Sequence, residues 1–220
     1  MNQSSLQILL TMGATIEPID PVRYLSNCSS GTLGSAIALA AASAGHSVPV
    51  LRGKQSLTPQ KHPRIKTVSF DSTRDLSAKC KEYWPSQDLL IMAAAVADFT
   101  PVGGAQDAKI RRTERQILEL VSTDDIVADL TQSKRDSQRV IAFSLASKSS
   151  LMEIAQDKLE RKSVDAIVAN PLKTMNSSDI EGVLLMRSGK TLKPEACVSK
   201  AAFATWLVSM FPVLLKEPPR

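Results

Sequence analysis

Short, nearly continuous apolar runs recur along this chain with helix-like stretches between them, and few folds accept that pattern. Residues 6–10 (LQILL), 47–51, 64–70, 88–96, 140–143 and 165–168 read as strands. A strand that is apolar at successive positions is covered on both faces, as happens in a parallel sheet whose crossovers are helices. The stretches between supply those crossovers. Residues 34–44 are Ala-rich, lack Pro and stop at Gly45, which predicts a helix. Asp71-Ser72-Thr73 predicts a capped helix start, with the helix running to about Trp84. Helices are also expected over 124–134 and 151–162.

This rhythm predicts an α/β fold: a Rossmann-like, mostly parallel sheet with helices on both faces. The end of the chain changes character. Residues 182–187 and 190–192 flank Ser188-Gly189 and predict a C-terminal β-hairpin. A final helix is expected over 199–215, and residues 216–220 read as a frayed tail. Between 99 and 121 the pattern weakens, then ILELV (117–121) predicts a strand outside the main sheet. An excursion of this kind is expected to be a flap or a dimerisation arm. No repeat divides the chain, so 1–220 reads as one domain.

The stretch TIEPIDPVRYLSNCSSGTLG (15–34) is too polar and Pro-rich to read as a strand, and too long for a simple turn into a helix. It is therefore expected to be a long loop. Its position matters, because parallel sheets bind ligands outside the carboxyl ends of their strands. Gly13, Ser29, Ser30 and Gly31 are small enough to bring backbone N–H groups close to a phosphate, ahead of a helix N-terminus. Arg23 offers a fixed cation. Asn27 offers both a donor and an acceptor, and serves equally well to cap a turn. GxGxxG and GxxxxGK[ST] are both absent. The second strand ends in Leu51-Arg52 without an acid for a ribose, and Arg52 keeps an NADP-dependent reductase open as the alternative.

Charge and composition exclude other classes. The net charge of +5 fits an anionic ligand or a mildly basic surface. Basic residues are scattered apart from 109–112 and 158–162, and aromatics make up only 4%, so nucleic acid is not expected. His46 and His62 are the only histidines, too few for a histidine-based metal site or triad. Cys28, Cys80 and Cys197 form no CxxC, which predicts reduced thiols and a cytoplasmic protein. No run approaches the roughly 20 apolar residues of a membrane span, and no basic-then-apolar leader opens the chain.

Four segments together carry a resemblance: GATIEPIDPVRYLSNCSSGTLG, MAAAVADF, KIRR followed by LELVSTDDIV, and KLERKSVDAIVAN. In this order, over nearly the whole chain, they resemble phosphopantothenoylcysteine synthetase, in a form standing free of its decarboxylase. The resemblance implies a dimeric Rossmann-like ligase that joins 4'-phosphopantothenate to L-cysteine in coenzyme A synthesis. CTP, or ATP, would activate the carboxylate as an acyl-nucleotide with Mg²⁺ present, and a separate decarboxylase would be a partner. Asn27 matches the asparagine associated with the intermediate. Arg23 matches an arginine of the second half-reaction, and Lys109 the first flap lysine, used in forming the intermediate. Met92, Ala93, Ala94 and Asp98 match a strand end lining the nucleotide site, and Asp124, Asp125, Ile126 and Val127 the next nucleotide-contacting turn. Phe143, Lys158 and Lys162 match positions that stack on the base or meet the triphosphate.

Acyl-nucleotide chemistry places phosphate charge in the transition state and calls for positioning and cations rather than a histidine base. Lys158 and Lys162 share a helix face and repel unless an anion lies between them. The departures are equally specific. Met12-Gly13-Ala14-Thr15 stands for the family's SGGT, Thr32 for a lysine, Arg111-Arg112 for two lysines, Asp124 for a proline, and 142–147 lacks an acid. These departures bear on nucleotide choice and turnover more than on reaction class, and the lost lysine and lost acid keep a catalytically weakened nucleotide-binding relative open as a further alternative. Cys28 is expected to be a small packing residue.

Overall fold

The computed structural model describes residues 5–112, 115–175 and 177–218. The chain opens with β1 (Ile8–Met12), followed by β2 (Ile16–Asp20), β3 (Arg23–Ser26) and α1 (Thr32–Ser43). Next come β4 (Val48–Gly53), β5 (Ile65–Phe70), α2 (Thr73–Tyr83), β6 (Leu89–Met92), β7 (Phe99–Pro101) and β8 (Leu120–Ser122). The second half runs α3 (Ile126–Gln132), β9 (Arg139–Ala146), α4 (Leu151–Arg161), β10 (Ala166–Pro171), β11 (Asp179–Ile180), β12 (Val183–Met186), β13 (Thr191–Leu192), β14 (Val198–Ser199), α5 (Lys200–Ser209) and α6 (Phe211–Leu214).

The central sheet has eight strands in the order β13-β12-β10-β9-β6-β1-β4-β5. The pairs from β5 across to β10 are parallel, while β12 and β13 add an antiparallel hairpin at the far edge. The expected Rossmann-like sheet and its C-terminal hairpin are both present. Alternation along each strand sorts residues to two cores. Ile8, Leu10 and Met12 join α1, α5 and α6 on one face, and Leu9 joins α2, α3 and α4 on the other. Burying each such aliphatic side chain is worth about 1.5–3 kcal/mol, and both faces of β1 are paid in this way. Thr11, also buried, is the one polar residue in β1 and lies at its carboxyl end.

Several expectations need correction. Residues 15–34 are not one loop, because β2 and β3 pair as an antiparallel hairpin outside the main sheet. Its buried residues include the carboxylates Glu17 and Asp20, each held by backbone N–H groups, so the usual apolar alternation is missing. Strand β1 lies two residues later than the sequence suggested, and β6 ends at Met92 rather than 96. The final helix is two helices, since Pro212 lacks the N–H that would continue the ladder of α5. Residues up to 218 are not frayed: Ser188 N–H and hydroxyl both donate to the Glu217 carboxylate, at 3.1 and 3.0 Å.

Candidate active site

Chain order places β4 and β5 on one side of β1 and then sends β6 to its other side. The crevice at that reversal, outside the carboxyl ends of the strands, is where such sheets bind ligands. A cavity of about 680 Å³ lies there, walled by the ends of β6, β9 and β10 and by the start of α1 with the loop before it. A second cavity of about 350 Å³ adjoins it and shares Met92, Val96, Asp98, Val127 and Lys162.

The floor is a set of interlocked loop ends. The Thr11 hydroxyl accepts from Ala94 N–H at 3.1 Å, and Ala95 N–H donates to Gly13 C=O at 2.7 Å. The Thr15 hydroxyl accepts from Ala97 N–H at 2.9 Å. Asn27 then fastens its own loop to this segment, donating from Nδ2 to Val96 C=O at 3.0 Å. Its carboxamide oxygen makes no hydrogen bond among the described residues. The Asn27 side chain therefore bridges two loops and does not cap a turn, and its acceptor is unbonded among the described residues on a residue that lines the cavity.

The N-terminus of α1 presses onto this floor. Gly31 sits at φ 81°, and a Cβ there would come within 2.8 Å of Met12 Cε. A Cβ on Gly34 would lie 2.5 Å from Met12 Cβ. Only glycine admits this approach, which brings the first turn of α1, Thr32 to Gly34, to the cavity edge. Ser30 and Thr32 bond each other across 2.8 Å.

The opposite wall is cationic. Lys158 and Lys162 both line the larger cavity, and their mutual repulsion is relieved by separate partners. Lys162 donates to Asp125 Oδ1 at 2.9 Å, while Lys158 donates to the Phe143 carbonyl. Burial, and then the Lys162 charge, brings Lys158 down to about 8; Asp125 and Asp98 act against the shift and Arg161 adds to it. Burial pushes the Asp125 carboxyl up, but the bonds from Lys162 and Ala128 N–H outweigh it and hold it below the usual carboxylate range. Asp125 also caps α3, accepting from Ala128 N–H at 3.2 Å.

Of the residues singled out from sequence, Asn27, Ser29, Ser30, Gly31, Met92, Ala93, Ala94, Asp98, Val127, Phe143, Lys158 and Lys162 line the larger cavity. Asp124, Asp125 and Ile126 line the smaller one. Gly13, Arg23 and Lys109 line neither. Gly13 faces away, toward Ser56, whose Oγ stands 1.7 Å from where a Cβ would be. Arg23 bonds Asp20 and the Ile110 carbonyl, and Lys109 is exposed. Cys28 is exposed on the cavity wall, not packed inside, because its loop has no apolar layer above it. Arg52 spends its guanidinium on the Ser56 and Lys54 carbonyls and the Ser69 hydroxyl, which leaves the reductase alternative without its phosphate holder.

Sequence reasoning missed Asn170, Thr174, Met175, Ile180 and Lys200, which complete the wall. Asn170 closes an apolar strand at its carboxyl end, the same signal that pointed to the first loop. Lys200 begins α5 thirty residues later and carries no such mark. Among the described residues no group of three His, Cys, Asp or Glu side chains converges on a metal site. A Mg²⁺ carried by nucleotide phosphates needs only one or two carboxylates, and Asp98 in the shared wall would be available as one. No helix among the described residues is long and apolar enough to cross a membrane.

Comparison with known proteins follows the same outline. The model of the family described as the DNA/pantothenate metabolism flavoprotein C-terminal domain matches residues 3–212. A protein of an unknown prokaryotic organism, called cysteine/cysteine sulfinic acid decarboxylase, is 39% identical over 168 residues, covering 76% of this chain and 46% of that protein. The coenzyme A biosynthesis bifunctional protein CoaBC of Escherichia coli (strain K12) is 35% identical over 198 residues, covering 86% of this chain and 48% of that protein. The chain thus spans about half the length of the curated relatives it matches. The solved DNA/pantothenate metabolism flavoprotein of Streptococcus pneumoniae has a TM-score of 0.83 at 27% identity, covering 95% of this chain and 99% of that one.

Proposed function

The chain belongs to the DNA/pantothenate metabolism flavoprotein C-terminal domain family, and from that premise we propose that it is a phosphopantothenate–cysteine ligase of coenzyme A biosynthesis. The observation that carries this reading is the cavity at the strand reversal, with Asn27 on one wall and Lys158 and Lys162 on the other. A carboxylate oxygen of 4'-phosphopantothenate attacks the α-phosphorus of CTP, and pyrophosphate leaves with the bonding electrons. The amine of L-cysteine then attacks the acyl carbon, CMP departs, and the amine gives up a proton. ATP is the competing nucleotide.

The residues divide this work by position. Lys158 and Lys162 face the phosphates and offset the charge that grows as pyrophosphate separates. Ala93 and Ala94 are small, which brings the backbone at the end of β6 against the acyl group. Asn27 holds its carboxamide oxygen toward the intermediate, with Nδ2 fixed on Val96. Phe143, half-buried in the wall, offers a ring face to the base. Mg²⁺ held at Asp98 would neutralise part of the triphosphate charge. Arg23 and Lys109 act from the hairpin and the flap.

A homodimer and a cytoplasmic location belong to the same proposal, with a decarboxylase as partner. The flap around β7 and β8 exposes Phe99, Val102, Ile117, Leu120 and Val121, an apolar strip suited to a second copy of the chain. The deciding measurement is pyrophosphate release from CTP or ATP with phosphopantothenate present and cysteine withheld. Release that depends on phosphopantothenate is the expected result. No release with either nucleotide would leave the chain as a nucleotide-binding relative without the activity.

A further inference from the structure

We propose that Asp20 is a positioning residue: one buried carboxylate holds both Arg23 and the backbone that carries Lys109, joining the β2–β3 hairpin to the flap. This rests on the ligase reading and its use of those two cations.

Asp20 is 4% exposed, at the turn between β2 and β3. Its Oδ1 accepts from Val22 N–H at 2.9 Å, which closes the turn. A neutral Asn supplies that acceptor equally well, so the turn accounts for only half of the group. Oδ2 accepts from Arg23 Nη1 and from Ile110 N–H, at 3.1 Å in the latter case. Arg23 Nη1 also donates to the Ile110 carbonyl at 3.3 Å. Both polar groups of Ile110 are thereby tied to the hairpin, about ninety residues away in sequence. Gln106 N–H adds a tie to Ile19 C=O at 2.9 Å.

The N–H of Ile110 belongs to the peptide unit that begins at the Lys109 carbonyl. Its bond to Asp20 fixes the backbone from which the Lys109 side chain springs, while the ammonium itself makes no ion pair or side-chain hydrogen bond among the described residues. A buried carboxylate is expensive to desolvate and persists where it is fully bonded. Burial pushes Asp20 up, and the N–H groups of Val22 and Ile110 and the Arg23 guanidinium hold it below the usual carboxylate range. The charge is kept at this place with its second oxygen shared between hairpin and flap, a connection that the hairpin does not need for its own pairing.

Asp20→Asn is the informative change, because it keeps an acceptor for Val22 and turns an NH2 group toward two donors. Exchange of the Ile110 amide is expected to quicken by about tenfold or more. The kcat of phosphopantothenate-dependent pyrophosphate release is expected to fall about tenfold to a hundredfold, with the nucleotide KM within about twofold. Combined with Lys109→Gln, the same change should lower kcat by less than about twofold further, since it acts through Lys109. Unchanged exchange at Ile110, or full additivity with Lys109→Gln, overturns the proposal and leaves the ligase reading intact. A Lys109→Gln enzyme with wild-type release overturns the flap's part in the ligase reading and this proposal with it. Should Asp20→Asn not fold, Ile110→Pro removes the same N–H from the flap side, and wild-type kcat there overturns the proposal.

Discussion

At Lys158 the ammonium sits near its own threshold, drawn down to about 8 by burial and by Lys162. The unfolded chain keeps that proton to about pH 10.5, so the unfavourable burial of charge is fully present below pH 8 and is relieved between about pH 8 and 10.5. Binding runs the other way, because the ammonium that would meet a phosphate is lost from the folded protein as the pH passes about 8. The KM for the nucleotide is expected to climb between pH 7 and 9 in the wild type and to stay flat in Lys158→Arg, whose charge persists; equal pH profiles for the two would count against a phosphate contact at Lys158. The i, i+4 spacing made the shared face of Lys158 and Lys162 legible from sequence. Their partners were not: Asp125 caps another helix and the Phe143 carbonyl is backbone, and neither leaves a local pattern. Cys28 was misread for a related reason, since burial of a loop residue depends on what the fold lays over it. A Cys28→Ala enzyme is expected to keep wild-type kcat, because the thiol is exposed on the wall rather than a packing group.

Among the elements, those whose identity is set by apolar burial were legible, and the ones set by polar bonding were not. The strands of the main sheet announce themselves because both faces meet helices. The β2–β3 hairpin hides because its buried positions are Glu17 and Asp20, satisfied by Thr73 N–H on one side and the flap on the other. A Pro-containing strand is tolerated there because the hairpin lies outside the main sheet, where a missing N–H costs least. The α1 start shows what such elements demand locally. At φ 81°, an alanine at Gly31 incurs about 1–3 kcal/mol of backbone strain, and its methyl meets Met12 as well. Gly31→Ala is therefore expected to lower the unfolding free energy by about 2 kcal/mol or more in denaturant titration, with a raised nucleotide KM as α1 lifts from the floor. An unchanged midpoint would show that the loop relaxes without cost.

For the molecule as a whole, strand order places the site. A sheet that grows one way from β1 and then the other leaves one crevice, and the residues legible as a site were the loop after β1 and the end of β6, with Asp124–Val127, Phe143, Lys158 and Lys162 added by the resemblance. Contributions from β10 onward were legible only once the sheet order was known. The flap is a whole-molecule matter too, since a two-stranded ribbon with an exposed apolar strip has little to stabilise it alone. Val121→Asp should shift the chain to monomer in sedimentation equilibrium; a dimer that survives it must use another face. At the far pole, Arg139 opens β9 and grips the Glu217 carbonyl through Nη2, while Ser188 holds the Glu217 carboxylate. The last described turn is thus moored at the amino ends of the strands, with the sheet's full length between it and the cavity. An enzyme fixed to a solid support through a tail fused beyond residue 220 would present its open crevice to the solution, and its turnover on the support should match that of the free enzyme.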